Sequence, residues 1–191
     1  MIAIGAVGLN GSGKDELVSY LERRCSMRAL SAGDVARDIA VRQGVPPTRE
    51  NLHEISREYI ARYGKDFFMN SLIAKIERNN WKAVAITGIR TPADVATLKE
   101  HFGNDFYLIN VEVGDPAVRF ERARKRGEAR DPRRYEEFLD NDRAEEEMFQ
   151  LSETSKKADL VIRNDSGLEE FHRRIDETII RGLLTGKVPC R

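Results

Sequence analysis

The chain has 191 residues, and its 32 basic and 32 acidic side chains give a formal net charge of zero. This length predicts one α/β domain, alone or with inserted helices, and the balanced charge gives no electrostatic reason to expect a nucleic-acid or membrane partner. No apolar run is long enough to span a bilayer, and the first residues lead directly into a predicted strand, so neither a membrane span nor a signal peptide is expected.

The first predicted element is a buried strand at 2–7, which is followed by the sequence GLNGSGKD at 8–15 and then by apolar residues at helical spacing. The order strand, glycine-rich loop and helix is typical of a phosphate-binding loop. In such a loop the backbone N–H groups and the helix N-terminus surround phosphate oxygens, and Lys14 reaches the outer phosphates. We therefore predict that the nucleotide phosphates contact Gly8, Asn10, Gly11, Ser12, Gly13, Lys14 and Asp15.

Asp15 stands where the phosphate-loop pattern has Ser or Thr, whose hydroxyl normally binds the Mg²⁺ that bridges the outer phosphates. A carboxylate is also a good Mg²⁺ ligand, so Asp15 is a candidate metal ligand. This interpretation predicts a strong dependence on divalent metal, because without the metal the carboxylate repels the phosphates. Alternatively, the helix dipole alone favours an acidic residue in a first helical turn.

Four further strands are predicted, at 27–30, 83–87, 106–113 and 160–163. Helical stretches alternate with them, which predicts an α/β fold with a five-stranded parallel sheet covered on both faces. Two segments interrupt this alternation: a helical insertion at 33–80 and an arginine-rich, flap-like lid at 122–147. We expect all of these elements, 1–191, to form a single domain.

Candidate residues for phosphoryl transfer follow the predicted strands. Arg90 comes directly after the third strand, at the edge of a parallel sheet where ligands bind, and its planar guanidinium suits phosphate oxygens. In the lid, Arg122, Arg126 and Arg130 recur at four-residue spacing, and we expect at least one of them to contact ATP. Asp34, after the second strand, either orients and deprotonates an acceptor hydroxyl or caps the next helix, and the sequence leaves both roles open.

The order of these features resembles the nucleoside monophosphate kinases, a group of P-loop phosphotransferases. SAGD at 31–34 and GIR at 88–90 match this group. GIRTP at 88–92 and ADLVIRN at 158–164 resemble more closely the adenylate-kinase-like proteins of archaea and bacteria, and ADLVIRN also resembles the end of dephospho-coenzyme A kinase. The resemblance implies a three-layer P-loop fold, ATP and Mg²⁺ as cofactors, an insertion that holds a phosphate acceptor and a lid that closes over ATP. It also implies that Asn164 lies near the adenine and that Arg143 acts as a returning lid arginine, as in cytidylate kinases.

The leading prediction is an ATP- and Mg²⁺-dependent kinase of a small nucleotide-like acceptor, first of all a nucleoside monophosphate. We expect its catalytic set to be Lys14, Asp34, Arg90, Arg126 and Arg143. A dephospho-coenzyme A kinase-like enzyme is one alternative, supported by the ADLVIRN string and Asp34. A nucleotide-binding switch with slow ATP hydrolysis is the other, suggested by Asp15 and by Thr87, which stands where related kinases have Asp. The sequence is compatible with a monomer or a homodimer.

The two cysteines, Cys25 and Cys190, are too few and too far apart in sequence to indicate a metal cluster or a disulfide framework. They favour a reducing cytoplasm as the location of the protein. The three histidines, His53, His101 and His172, show no metal-ligand spacing and are expected at the surface.

Overall fold

The computed structural model describes residues 1–128 and 131–191, so the prediction for Arg130 lies outside the described residues. The strands are β1 (Ile2–Val7), β2 (Arg28–Ser31), β3 (Ala83–Thr87), β4 (Phe106–Glu112) and β5 (Leu160–Arg163). Within the described residues these five strands form one parallel sheet in the order β2-β3-β1-β4-β5. The predicted fold class is confirmed, although β2 lies one residue later than predicted and β4 ends one residue earlier.

Helices alternate with the strands, as expected for a parallel sheet. In chain order they are α1 (Lys14–Arg24), α2 (Ala32–Gln43), α3 (Arg49–Tyr63), α4 (Phe67–Arg78), α5 (Pro92–Phe102), α6 (Pro116–Arg126), α7 (Tyr135–Phe149), α8 (Leu151–Ser155) and α9 (Leu168–Ile175). A 3₁₀ turn covers Gly103–Asp105, and a π-helical segment covers Asp176–Leu184. Side chains cap several of these helices, and at α5 Thr91 and Asp94 form a reciprocal capping box.

The central strand is β1, and all six of its residues are buried because helices cover both faces of the sheet. On one face, Val7 contributes to an apolar core with residues of α2, α4 and α5. On the other face, Ile4 belongs to a second core with residues of α1, α9 and the π-helical segment. The loop after β1 therefore leaves the sheet at its centre, and Leu9 of this loop packs against the first core.

The predicted insertion contains α2, α3 and α4, and the predicted lid contains the end of α6 and most of α7. Gly127 ends α6 in a left-handed conformation with φ of 67°, which glycine adopts more readily than residues with a Cβ. Among the helices of the described residues, none has the length and apolar character needed to cross a membrane.

Cys25 and Cys190 form a disulfide, so the expectation drawn from their separation in sequence is wrong. The π-helical segment packs in the same core as α1, and the chain after it returns to the end of that helix. There the Arg191 N–H donates to the Arg24 carbonyl at 2.7 Å, and the Ser26 N–H donates to the Pro189 carbonyl at 2.9 Å. A separation of 165 residues along the chain is therefore no measure of distance in the fold.

Candidate active site

The glycine-rich loop after β1 has the conformation that its sequence predicts. Gly11 has φ of 76° and Gly13 has φ of 104°, both in the left-handed region that residues with a Cβ rarely adopt. A Cβ on Gly11 would clash with the Arg119 carbonyl oxygen, and one on Gly13 would clash with Nδ2 of Asn164. Gly13 is also the N-cap of α1 and makes no side-chain cap, so the first N–H groups of α1 remain open to a ligand.

Two buried polar atoms of this loop lack hydrogen-bond partners in the part of the chain that the structure describes. They are Oγ of Ser12 and Nδ2 of Asn10. Nζ of Lys14 lies 3.5 Å from the Leu9 carbonyl oxygen, at the outer limit of a hydrogen bond. Since unpaired donors are costly when buried, this loop fits an anionic ligand that accepts hydrogen bonds from it.

A cavity of about 380 Å³ lies beside the loop and reaches from it to the insertion. The predicted residues that line it are Gly8, Asn10, Lys14, Asp15, Asp34, Arg90 and Arg126. It therefore brings together the phosphate loop, the end of β3, the start of α2 and the end of α6. This is the edge of a parallel sheet at which ligands are expected to bind.

A second cavity, of about 460 Å³, adjoins the first at Lys14, Asp15 and Arg126. Its other predicted lining residues are Gly11, Gly13, Arg122 and Asn164. One guanidinium nitrogen of Arg122 donates to the carbonyl oxygens of Asn164, at 2.9 Å, and of Ser166, at 3.1 Å. Asn164 in turn donates from Nδ2 to the Ser12 carbonyl at 2.8 Å, which ties the loop after β5 to the phosphate loop.

Arg126 lies where the two cavities meet. Its guanidinium donates to Oδ1 of Asn10 at 3.1 Å and forms a two-pronged contact with Asp131, at 2.6 and 2.9 Å. The hydrogen bond to Asp131 raises the pKa of Arg126 further above neutral pH, and the negative charge of Asp15 acts in the same direction. The lid is thus joined to the phosphate loop through this side chain.

Asp15 can hold Mg²⁺ only together with phosphates and water. Within the described residues there is no group of three or more His, Cys, Asp or Glu side chains that could hold a metal ion. A single carboxylate nevertheless fits Mg²⁺, because this ion keeps several waters and takes its other ligands from substrate phosphates.

Asp34 does not cap α2, because the Oγ of Ser31 accepts the N–H of Gly33 and fills that role. The Asp34 carboxylate instead accepts hydrogen bonds from Nε of Arg37, at 3.2 Å, and from a terminal nitrogen of Arg37, at 2.5 Å. Both side chains line the first cavity, so Asp34 lies where an acceptor hydroxyl could bind.

Arg143 is not brought to the site. Its side chain is 73% exposed on α7 and pairs with Asp140 on the same helix at 2.5 Å. Neither cavity is lined by Arg143. Its catalytic role remains a prediction.

Arg49, His53 and Glu145 also line the first cavity, and reasoning from the sequence missed all three as site residues. Arg49 of α3 and Glu145 of α7 form an ion pair of 2.7 Å in which the side chains are 18% and 13% exposed. His53 was expected at the surface but is half-buried, with its ring edge-on to Phe149. Burial and the positive charge of Arg90 lower the pKa of His53, which favours the neutral imidazole.

Comparisons with known proteins bear on the family of the chain. A family model described as an AAA domain matches residues 7–138. A UPF0200 protein of Pyrococcus horikoshii is 35% identical over 175 residues, which cover 91% of this chain and 93% of that protein. A UPF0200 protein of Hyperthermus butylicus is 32% identical over 186 residues, covering 97% of this chain and 96% of that protein.

Solved structures of small-molecule kinases share the fold. A shikimate kinase from Bacteroides thetaiotaomicron superposes with a TM-score of 0.61 at 16% identity, covering 94% of this chain and 98% of that one. A gluconokinase from Sinorhizobium meliloti has a TM-score of 0.55 at 15% identity, with coverages of 94% and 92%. The chain therefore belongs to the UPF0200 family and is a P-loop protein with an AAA-type domain and the α/β fold of small-molecule kinases.

Proposed function

We propose that the protein is an ATP- and Mg²⁺-dependent phosphotransferase whose acceptor is a small nucleotide-like metabolite, first of all a nucleoside monophosphate. The observation that carries this proposal is the cavity shared by the phosphate loop and the insertion. Lys14 and Arg90 line it from the sheet edge, while Asp34 and Arg49 line it from the insertion. A site for ATP phosphates and a site for an acceptor thus open into the same space.

In this proposal, ATP lies along the phosphate loop with its adenine in the second cavity, against Arg122 and Asn164. The loop N–H groups and the α1 N-terminus bind phosphate oxygens, and Lys14 stabilises the charge on the outer phosphates. Asp15 is the residue that would hold Mg²⁺, which would supply positive charge to the outer phosphates. Arg90 and Arg126 border the space between donor and acceptor and neutralise charge on the transferring phosphoryl group.

An alcohol acceptor, as in a dephospho-coenzyme A kinase-like enzyme, is the second candidate. Asp34 favours it, because a carboxylate that lines the cavity and does not cap α2 can orient an acceptor hydroxyl and accept its proton. A phosphate acceptor needs no such base. The third possibility, a nucleotide switch with slow ATP hydrolysis, leaves the side chains of the insertion that line the cavity without a function.

A cytoplasmic location is also part of the proposal, because the reaction consumes ATP. The disulfide between Cys25 and Cys190 removes the support that unpaired cysteines would have given it. The proposed reaction needs no second subunit in the site, so it is compatible with a monomer or a homodimer.

A screen of ADP release tests the function and the class of acceptor together. Wild type, Asp34→Asn and the control Asp38→Asn, which removes an exposed carboxylate from the same helix, are assayed with nucleoside monophosphates, deoxynucleotides, dephospho-coenzyme A and phosphomevalonate. We expect a nucleoside monophosphate to raise ADP release and Asp34→Asn to retain most of that rate. With an alcohol acceptor, Asp34→Asn is expected to be about 100-fold slower. If no compound raises ADP release above the rate without acceptor, the kinase proposal fails.

Asp15 provides a separate test of the metal. If its carboxylate binds Mg²⁺, Asp15→Ala is expected to raise the Mg²⁺ concentration for half-maximal rate by about tenfold or more, because a ligand is lost. Asp15→Ser restores the usual hydroxyl, and its Mg²⁺ concentration for half-maximal rate is expected to lie between those of Asp15→Ala and wild type. The measurement is a Mg²⁺ titration at fixed ATP. Unchanged metal affinity with a modest loss of thermal stability in both variants would instead indicate that Asp15 stabilises α1 through the helix dipole.

A further inference from the structure

Glu145 is a buried carboxylate inside the first cavity, and the proposed reaction gives it no role. It lies on α7, and its Oε1 accepts a hydrogen bond from Arg49 of α3 at 2.7 Å. The side chain is 13% exposed and lines the same space as Lys14 and Arg90. Among the described residues Oε2 has no hydrogen-bond partner, so this oxygen is available to a ligand.

The surroundings of Glu145 keep it negatively charged. Burial alone raises its pKa, but the positive charges of Arg90, Arg49 and Lys14 outweigh this effect, and the pKa of Glu145 is lowered. An ionised carboxylate can only accept hydrogen bonds. A phosphate oxygen placed against Glu145 would be repelled, whereas a hydroxyl would donate to it.

The cavity therefore offers two different kinds of binding group to an acceptor. Arg90 suits an anion, and its guanidinium lies 4.9 Å from the ring centre of Phe149, one helical turn beyond Glu145 on α7. Glu145 suits a hydrogen-bond donor. His53, with its lowered pKa, borders the same space as a neutral ring that can donate or accept.

We propose that Glu145 is a specificity-determining residue that accepts hydrogen bonds from hydroxyl groups of the acceptor, while the phosphate of the acceptor binds at Arg90. This inference rests on the proposed function and narrows it to acceptors that carry hydroxyls next to their anionic group, as a ribose phosphate does. Arg49 then acts as a positioning residue, since it holds the carboxylate from the insertion side.

A different role for Glu145 would be that of an internal counter-anion, which neutralises Arg49 and Arg90 until a phosphate displaces it. The two roles predict opposite effects of removing the carboxylate. Loss of a counter-anion strengthens the binding of every anionic ligand, including inorganic phosphate. Loss of a hydroxyl-binding group weakens the binding of only those ligands that carry the hydroxyls.

The test compares ligands that differ in their hydroxyls alone. The four ribonucleoside 5′-monophosphates and their 2′,3′-dideoxy counterparts are titrated calorimetrically into wild type, Glu145→Ala and Glu145→Gln, with inorganic phosphate as a third probe. Glu147→Gln serves as the control, because it removes an exposed carboxylate from the same helix. Thermal unfolding of each variant checks that it folds, and Glu145→Gln preserves side-chain volume if Glu145→Ala does not fold.

We expect wild type and Glu147→Gln to prefer one ribonucleotide over its dideoxy form by about tenfold, the effect of a hydrogen bond to a charged group. In Glu145→Ala this preference is expected to disappear, while the affinity for inorganic phosphate stays the same or rises because a negative charge near Arg90 is lost. If wild type binds both forms with equal affinity and an acceptor stimulates ADP release, the inference on Glu145 is overturned and the proposed kinase function is not. Tighter binding of phosphate and of all monophosphates to Glu145→Ala, with the preference for the ribonucleotide retained, overturns it in favour of the counter-anion. If no ligand binds and none stimulates ADP release, both proposals fail.

Discussion

Lys14→Ala is expected to lower the turnover number by about 100-fold or more and to leave the fold intact. Lys14 is the first residue of α1, and its ammonium group lines both cavities. Among the described residues its hydrogen bond to the Leu9 carbonyl is long, at 3.5 Å, so its loss is expected to remove little stability. In the proposed reaction it would supply positive charge where negative charge develops on the outer phosphates.

The measurement is the rate of ADP release with the best acceptor from the screen, together with ATP affinity and thermal unfolding. Lys156→Ala is the matched control, because Lys156 is exposed and its ion pair with Glu153, three residues earlier, lies at the surface. This control is expected to have the wild-type rate. A folded Lys14→Ala protein with wild-type turnover would contradict the phosphate-loop assignment itself.

The fold was largely predictable because its signals are local. The run at 2–7 is apolar without alternation, which indicates a strand buried on both faces, and all six residues of β1 are buried. The glycines of the loop need backbone angles that other residues avoid, so their spacing also identified the loop conformation. In both cases the sequence itself carries the physical requirement.

The side of the first cavity that α3 and α7 line was less predictable because it forms between elements that are distant in sequence. Arg49 and Glu145 are 96 residues apart and meet only when α7 packs beside α3. A local signal existed on α7: Phe138, Asp142, Glu145 and Phe149 recur at helical spacing, and both phenylalanines are buried. Acidic residues on a face bounded by buried aromatic rings need partners, but the sequence does not say which ones.

The cysteines and Arg143 illustrate the same limit. The pairing of Cys25 with Cys190 depends on the path of the chain after the π-helical segment, which no motif specifies. Arg143 was assigned by resemblance alone, and in the structure it pairs with Asp140 on the exposed face of α7. Resemblance assigns a role to a residue of this helix, but the face that a helix presents depends on its packing.

Arg119→Ala is expected to lower the free energy of unfolding by about 3–5 kcal/mol, the cost of leaving the partner of a buried ion pair uncompensated. The Arg119 side chain is 4% exposed and lies 2.7 Å from the carboxylate of Asp142, which is 14% exposed. Its guanidinium also lies 5.1 Å from the ring centre of Phe138. Arg119 thus joins α6 to α7 inside the protein.

The same side chain anchors the phosphate loop, because a guanidinium nitrogen donates to the Asn10 carbonyl at 3.1 Å. The double variant Arg119→Met with Asp142→Leu separates the two roles. Apolar replacements of a buried ion pair are often neutral for stability, so we expect this variant to recover most of the free energy of unfolding. It cannot restore the hydrogen bond to Asn10, so ATP affinity is expected to remain below that of wild type.

Urea unfolding and ATP titration of wild type and the two variants provide both measurements. Arg124→Ala is the control on the same helix: its side chain is 61% exposed and pairs with Glu121, so it is expected to change stability by less than about 1 kcal/mol. If Arg119→Ala and the control lose equal amounts of unfolding free energy, the stabilising role of the buried ion pair is contradicted. Full recovery of both stability and ATP affinity in the double variant would show that Arg119 acts on the loop only through packing. A deficit in ATP affinity alone is the result expected if the hydrogen bond from Arg119 to the Asn10 carbonyl helps to hold the phosphate loop in position.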